Sequence, residues 1–381
     1  MAKIAVVFTN YGPYHISRVS RLNDHCIHNG WEVVGIEMSR QQTTYEWETN
    51  IRDLPFKLVS IITETRSWHE VGFQILFARL NKVLADVDPD VVAIAGYFEI
   101  GMLYTLFWSR WHGKKSILLS ESTEKDFARS WWKEGVKSWI IKQFDAALVG
   151  GNPHRRYLLN LGLPANSVFL GYDVVGNEIF HPDNIKNLPD PVQKPYFLAI
   201  NRFVPKKNLS FLISAYAAYR QARGRDAWHL VLCGNGELRR ELEQQINMLN
   251  LTEFVYMPGF LQQQELLPYF AHANCFIHAS IQEQWGLVVN EAMAAGLPVL
   301  VSNRCGCYED LIIDGVNGFG FDPINSHQLT DLMMKISSKE TNLIRIGDAA
   351  LRHIQKFSPD YFAQGLIQAV NYALHNIQTK S

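Results

Sequence analysis

Cysteine is scarce in this chain: five residues among 381, odd in number and scattered at Cys26, Cys233, Cys275, Cys305 and Cys307. That excludes a disulfide framework and points to reduced thiols in a cytoplasmic protein. Cys305 and Cys307 form a C-x-C without a second ligand pair at zinc spacing, so no metal site is expected there. Net charge is nearly absent, a formal -1, which gives no nucleic-acid signal. No apolar run reaches transmembrane length. The opening MAKIAVVFTN carries one lysine and a short apolar run, and reads as a first strand rather than a signal peptide. The G-x-G-x-x-G dinucleotide pattern does not follow that strand, which argues against a dehydrogenase. What is present is core material: 47% hydrophobic against 19% charged residues over 381 positions, enough for two folded domains of ordinary size.

The first half alternates strand and helix. Residues 3–8 form a compact apolar strand, 9–15 a loop with Gly12, 16–29 a helix ended by Gly30, and 31–38 a second strand. Further buried strands are expected at 90–96, 116–119 and 146–149. This is the pattern of a doubly wound parallel sheet with helices on both faces. Ligands sit beyond the C-terminal strand ends of such sheets. A cleft there would be lined by Tyr97, Glu99, Glu121 and Ser122. His15 is either an active-site group or a polar residue near a helix start.

Residues 102–142 hold eight Lys/Arg, Arg129 among them, against four acids, with five tryptophans interleaved. Trp132, Val136, Trp139 and Ile140 share one helical face. A basic, aromatic helix can lie weakly on an anionic membrane surface. The simpler expectation is an amphipathic helix with tryptophan in the core and lysine in water.

Residues 184–195, including NLPDPVQKP, are polar and proline-rich and read as an inter-domain linker. The β-α pattern then restarts. Arg202 and Lys207 flank a turn at a helix start, a plausible diphosphate clamp. Gly234 and Gly236 permit close backbone approach to a ligand. The loop after 255–257 brings Phe260, which could meet a nucleobase. Residues 314–320 read as a pair of turns, and 360–377 as an amphipathic helix. Between them lies SIQEQWGLVVNEAMAAG, residues 280–296. It predicts a loop holding Glu283 and a helix from Leu287 to Gly296 holding Glu291. Backbone N–H groups at Gly286 and Leu287 would suit phosphate.

These motifs stand in order: Arg202-x4-Lys207; Gly234-x-Gly236; Pro258-Gly259; Glu283-x7-Glu291 running into Ala292-Met293-Ala294-Ala295-Gly296-Leu297-Pro298; Gly306-x2-Glu309; and Asp314-Gly315-x2-Gly318. Residues 196–325 thereby resemble the donor-binding domain of retaining, GT-B fold glycosyltransferases of family 4, glycosyl transferases group 1. The resemblance implies an α/β fold of two Rossmann-like doubly wound parallel-sheet domains facing across a cleft. It places an acceptor-binding domain at 1–185, a nucleotide-sugar donor-binding domain at 186–357 and a helix crossing back at 358–381. It implies that Arg202 and Lys207 bind the donor diphosphate, with Gly12 opposite, and that Glu283 contacts the donor sugar. Gly286 and Leu287 would offer N–H groups, Glu291 would bind the ribose, and Phe260 would meet the base. Two departures stand out. Cys305 occupies the first position of a usual Gly-Gly. The first-domain loop reads Ser120-Glu121-Ser122-Thr123 where many members carry a histidine, so Glu121, Ser122 and His15 are the candidates for a catalytic contact from that domain.

The implied reaction moves a sugar from a UDP-, GDP- or ADP-sugar to a glycan or lipid-linked acceptor hydroxyl with retention, in polysaccharide, glycolipid or lipid-linked glycan synthesis. It requires no metal and no cofactor. The enzyme would be cytoplasmic or peripheral on the inner face of a membrane. The alternatives are a same-fold nucleotide-sugar epimerase, which would consume donor without acceptor, and a non-catalytic nucleotide-sugar-binding subunit.

Overall fold

The computed structural model describes residues 2–40, 51, 53–63, 70–126 and 130–375. The chain divides into two compact units, Met1–Gly176 with Phe357–Ser381, and Asn177–Lys356.

The first unit is built on strands Lys3–Phe8 (β1), Glu32–Ser39 (β2), Lys57–Ile62 (β3), Val91–Ala95 (β4), Lys115–Ser120 (β5), Ala146–Val149 (β6) and Val168–Leu170 (β7). They pair in parallel in the order β3-β2-β1-β4-β5-β6-β7. The central strands are apolar at almost every position because both faces are covered, and each face has its own core cluster. The two strands that sequence periodicity does not reveal, β3 and β7, are the two edges of this sheet. β3 is only partly buried and β7 has three residues, so neither carries a continuous apolar run.

The second unit repeats the design with Tyr196–Ile200 (β8), His229–Cys233 (β9), Val255–Gly259 (β10), Cys275–His278 (β11), Val299–Ser302 (β12) and Gly318–Phe321 (β13). Their order is β10-β9-β8-β11-β12-β13, again parallel. Residues 318–320 therefore belong to a strand and not to a second turn. Turn residues Asp314 and Gly315 precede it, and Gly318 is required inside it, since a Cβ there would lie 2.4 Å from Val299 O.

The proline-rich stretch 184–195 is fastened to the second unit. His272 Nε2 lies 2.7 Å from Leu188 O, and Asp190 Oδ1 accepts from the N–H groups of Val192 (2.9 Å) and Gln193 (3.0 Å). The chain passes between units at Gly176–Asn177 and Lys356–Phe357. Helix Pro359–His375 packs on helix Pro13–His28, burying Phe362, Leu366 and Val370 in the core beneath β1, and Arg21 holds Asp360 through two hydrogen bonds of 2.8 and 2.9 Å.

The tryptophans of 102–142 correct an expectation. Trp108 is buried, but Trp111 is 89% and Trp131 88% exposed, and Trp132 and Trp139 are also exposed. In helix Trp131–Ile141 the buried residue is Ile141. Phe107, on helix Ile100–Trp111, meets Trp139 with ring centroids 5.9 Å apart, which joins the two helices into one aromatic surface. Arg129 lies outside the described residues.

Candidate functional site

In each sheet the strand order reverses beside the first strand, between β1 and β4 and between β8 and β11. Chains leaving neighbouring strands to opposite sides open a crevice at such a point. In the second unit the loops there are 201–208 and 279–286.

Loop 201–208 is stitched to the turn after β9. Asn201 N donates to Cys233 O (3.0 Å), Phe203 N to Asn235 O (2.8 Å) and Leu238 N to Phe203 O (3.1 Å). A Cβ on Gly234 would lie 1.8 Å from Asn201 O, and one on Gly236 2.6 Å from Phe203 O. The close approach these glycines permit is therefore to the chain's own loop, where a ligand was expected. The loop then makes one turn of 3-10 helix, Pro205–Lys207, and Asn208 takes a left-handed conformation at φ 58°. Asn208 Nδ2 donates to Ala279 O (3.2 Å) and Pro323 O (2.8 Å), and Ile281 N donates to Lys206 O (2.9 Å). These bonds tie the two loops together and deliver Lys207 to Glu283.

Three donors converge on Glu283 Oε2: Lys207 Nζ, Ser280 Oγ at 3.1 Å and His278 Nε2 at 3.2 Å. Burial alone would raise the Glu283 pKa. The His278 hydrogen bond and the Lys207 charge outweigh it and hold the carboxyl well below the usual range. Burial, aided by the Lys207 charge, lowers the pKa of His278 against the Glu283 hydrogen bond, which raises it. The Glu283 backbone is pinned too, since Gly306 N donates to Glu283 O (3.0 Å) and Cys307 N to Trp285 O (3.2 Å). Cys305 forms an isolated parallel bridge with Glu283 and is not among the residues of positive φ, so the position does not require glycine. Trp285 is buried and donates Nε1–H to Asn290 Oδ1 (2.9 Å), anchoring the loop to the following helix.

Gly286, at φ 106°, turns the chain into helix Leu287–Ala294. The first N–H groups of that helix have no acceptor within it. Glu291 lies in the helix and is 4% exposed. Arg202 stands exposed at the head of its loop, and Phe260 is half-exposed just past β10. The structure thus brings Lys207 and Glu283 into contact and places Arg202, Phe260, Gly286, Leu287 and Glu291 on the segments that follow β8, β10 and β11. His278 and Ser280 complete the contact, and sequence reading took His278 only as the end of a strand. The signal was available as polar residues closing an apolar strand three and five positions before the glutamate.

In the first unit, Gly12 N donates to His15 Nδ1 (3.2 Å), and a Cβ on Gly12 would meet only that atom, at 3.8 Å. Burial and the Arg18 charge push the His15 pKa down to about 3, so the ring is neutral at pH 7. It packs on Phe8 with centroids 4.1 Å apart and closes the first turn of its helix. Ser122 is buried and donates its N–H to Ser120 Oγ (3.2 Å), Tyr97 is buried, and Glu99 stands at the start of helix Ile100–Trp111. Glu121 lies beside Asp173. Burial and then the Glu121 charge hold Asp173 well above the usual carboxylate range, although Arg18 Nη2 is 3.8 Å from its Oδ1. Among the described residues no group of three or more His, Cys, Asp or Glu could hold a metal ion.

Residues 181–353 match the family model described as glycosyl transferases group 1. A sulfoquinovosyl transferase of Arabidopsis thaliana is 31% identical over 305 residues, 74% of this chain and 56% of that protein. A sucrose synthase of Solanum tuberosum is 28% identical over 205 residues, 48% of this chain and 25% of the synthase. The chain thus spans between a quarter and about half of these relatives' own length. Among solved structures, Anabaena HepE in complex with UDP and glucose superimposes with a TM-score of 0.75 at 18% identity, over 97% of this chain and 100% of that one. That likeness covers both doubly wound units and shows the fold. Through residues 181–353, the chain is thus similar to the glycosyl transferases group 1 family.

Proposed function

We propose that this protein is a retaining glycosyltransferase of the family 4 type. It moves a sugar from a nucleoside-diphosphate donor to an acceptor hydroxyl. The observation that carries this reading is the Lys207–Glu283 contact at the reversal point of the second sheet. Lys207 and Arg202 supply positive charge for the departing diphosphate, aided by the N–H groups at the start of helix Leu287–Ala294. Glu283 offers its second carboxylate oxygen to a sugar hydroxyl. Its low basicity favours that role over attack on the anomeric carbon, and the departing phosphate takes the acceptor proton in a front-face reaction. Because two cations serve the diphosphate, the reaction is metal-independent. HepE, solved with UDP and glucose, makes a UDP-sugar the first donor to try.

The exposed aromatic surface of the first unit supports a lipid-linked or glycolipid acceptor and a peripheral place on a membrane. No helix among the described residues is long and apolar enough to cross one.

Thermal shift against UDP-, GDP- and ADP-sugars identifies the donor. Transfer with that donor should survive EDTA, and Lys207→Ala and Glu283→Ala should each lower it by about 10²-fold or more. Near-normal turnover in both variants would sink the assignment. Donor consumption without acceptor would point to an epimerase.

A further inference from the structure

We propose that His278 is a positioning residue for Glu283. It donates its Nε2 proton to Glu283 Oε2 and, with Ser280, holds that oxygen when Lys207 is drawn to the donor's phosphates, leaving Oε1 to the sugar. The inference rests on the reading of Lys207 and Glu283 as donor-binding groups.

Geometry separates the three donors on Oε2 by rigidity. Lys207 reaches it on a flexible stem from another loop, and an ammonium can re-aim toward phosphate at little cost. His278 cannot move in that way. It closes β11, all four of whose residues are buried, and its ring lies against Phe276 at 6.3 Å with planes 14° apart. Gly286 crowds the Nε2 edge, where a Cβ would stand 3.4 Å from His278 Nε2. Ser280 Oγ, 3.3 Å from the same nitrogen, closes a triangle with Glu283 Oε2.

The tautomer follows from the partner. An ionised carboxylate only accepts, so His278 Nε2 carries the proton and Nδ1 is a bare lone pair. Nδ1 is buried and finds no hydrogen-bond partner among the described residues. A lone pair left there costs less than the second N–H of an imidazolium would. The charged and titratable groups around the ring are Glu283 and Lys207, with the buried thiol of Cys305 coupled to both. When Lys207 leaves, His278 and Ser280 still fix the carboxylate, so the sugar meets an oriented acceptor.

Two measurements test this. Long-range proton–nitrogen spectra of the free protein, with His278→Gln for assignment, should show His278 as the neutral Nε2–H tautomer at pH 7. An Nδ1–H tautomer or an imidazolium would overturn the proposal, and no ligand is needed to see it. Calorimetry with UDP and UDP-glucose follows. Loss of one hydrogen bond to a charged group predicts that His278→Phe binds UDP within about twofold of wild type but loses about tenfold of the preference for UDP-glucose. His278→Gln, whose amide nitrogen reaches the Nε2 position, should restore most of it, and His278→Asn should not. Wild-type preference in His278→Phe overturns the proposal, and so does equal behaviour of the Gln and Asn variants, the comparison that decides if His278→Phe fails to fold. If wild type binds none of the UDP-, GDP- or ADP-sugars, the donor reading falls, and the spectra alone decide the contact with Glu283.

Discussion

Glu283 shows how one side chain sets a pH window. Its pKa is depressed in the folded protein below an unfolded value of about 4.3. The stability it contributes is complete above that value and drains as pH falls toward the folded pKa. Melting temperature should therefore fall more steeply for wild type than for Glu283→Gln between about pH 5 and pH 3, the two curves converging at the acid end. Scanning calorimetry across that range checks it. Glycine gives a sharper contrast. Gly12 has ordinary φ and open space, so Gly12→Ala should leave stability within about 0.5 kcal/mol, and any loss of donor affinity then reports contact with the ligand. Gly234→Ala drives a methyl into Asn201 O and should cost about 1–3 kcal/mol or more, as measured by urea unfolding. At this scale sequence reading reached Glu283 and Lys207, because their spacings are motif positions. It did not reach His278, whose role arises only when a strand end and a loop fold onto each other.

Local segments were legible where burial is two-sided and obscure at edges. β1, β4 and β8 announce themselves as apolar runs, while β3 and β7 do not, since an edge strand covers less core. The helix Trp131–Ile141 teaches a related point. Periodicity at Trp132, Val136 and Trp139 correctly marks one face, but periodicity cannot say whether that face meets the core or the solvent. Here it meets the solvent. In the second unit, Trp285 is the pin of the loop that carries Glu283. Trp285→Ala should destabilise the unit by about 3–5 kcal/mol through the cavity it leaves. Trp285→Phe keeps most of the volume and should cost about 0.5–1.5 kcal/mol for the lost hydrogen bond to Asn290. Denaturant melts of the two variants distinguish volume from hydrogen bond.

For the whole molecule, the aromatic surface on Ile100–Trp111 and Trp131–Ile141 sets the expectation for membranes. Arg110, Lys133 and Lys137 stand on these helices against one acid, Glu134, and Lys133 Nζ lies 5.5 Å from the Trp132 ring centre. The protein should co-sediment with anionic vesicles more than with neutral ones, and less as salt screens the lysines. Replacing Trp111 and Trp131 together by serine should weaken binding strongly without lowering the melting temperature, because both side chains are almost wholly in water. Undiminished binding by that variant would remove the surface from consideration.

The return of helix Pro359–His375 to the first unit also has a consequence for synthesis. Residues 177–356 form an unbroken stretch, whereas the first unit draws on both sides of it. On a ribosome, 177–356 can therefore finish folding while β1 to β7 still lack the helix that covers one face of their sheet. The earlier-made unit is the later to mature. In the interval it exposes the apolar face that Phe362, Leu366 and Val370 will cover, which is where a nascent-chain chaperone would be needed most.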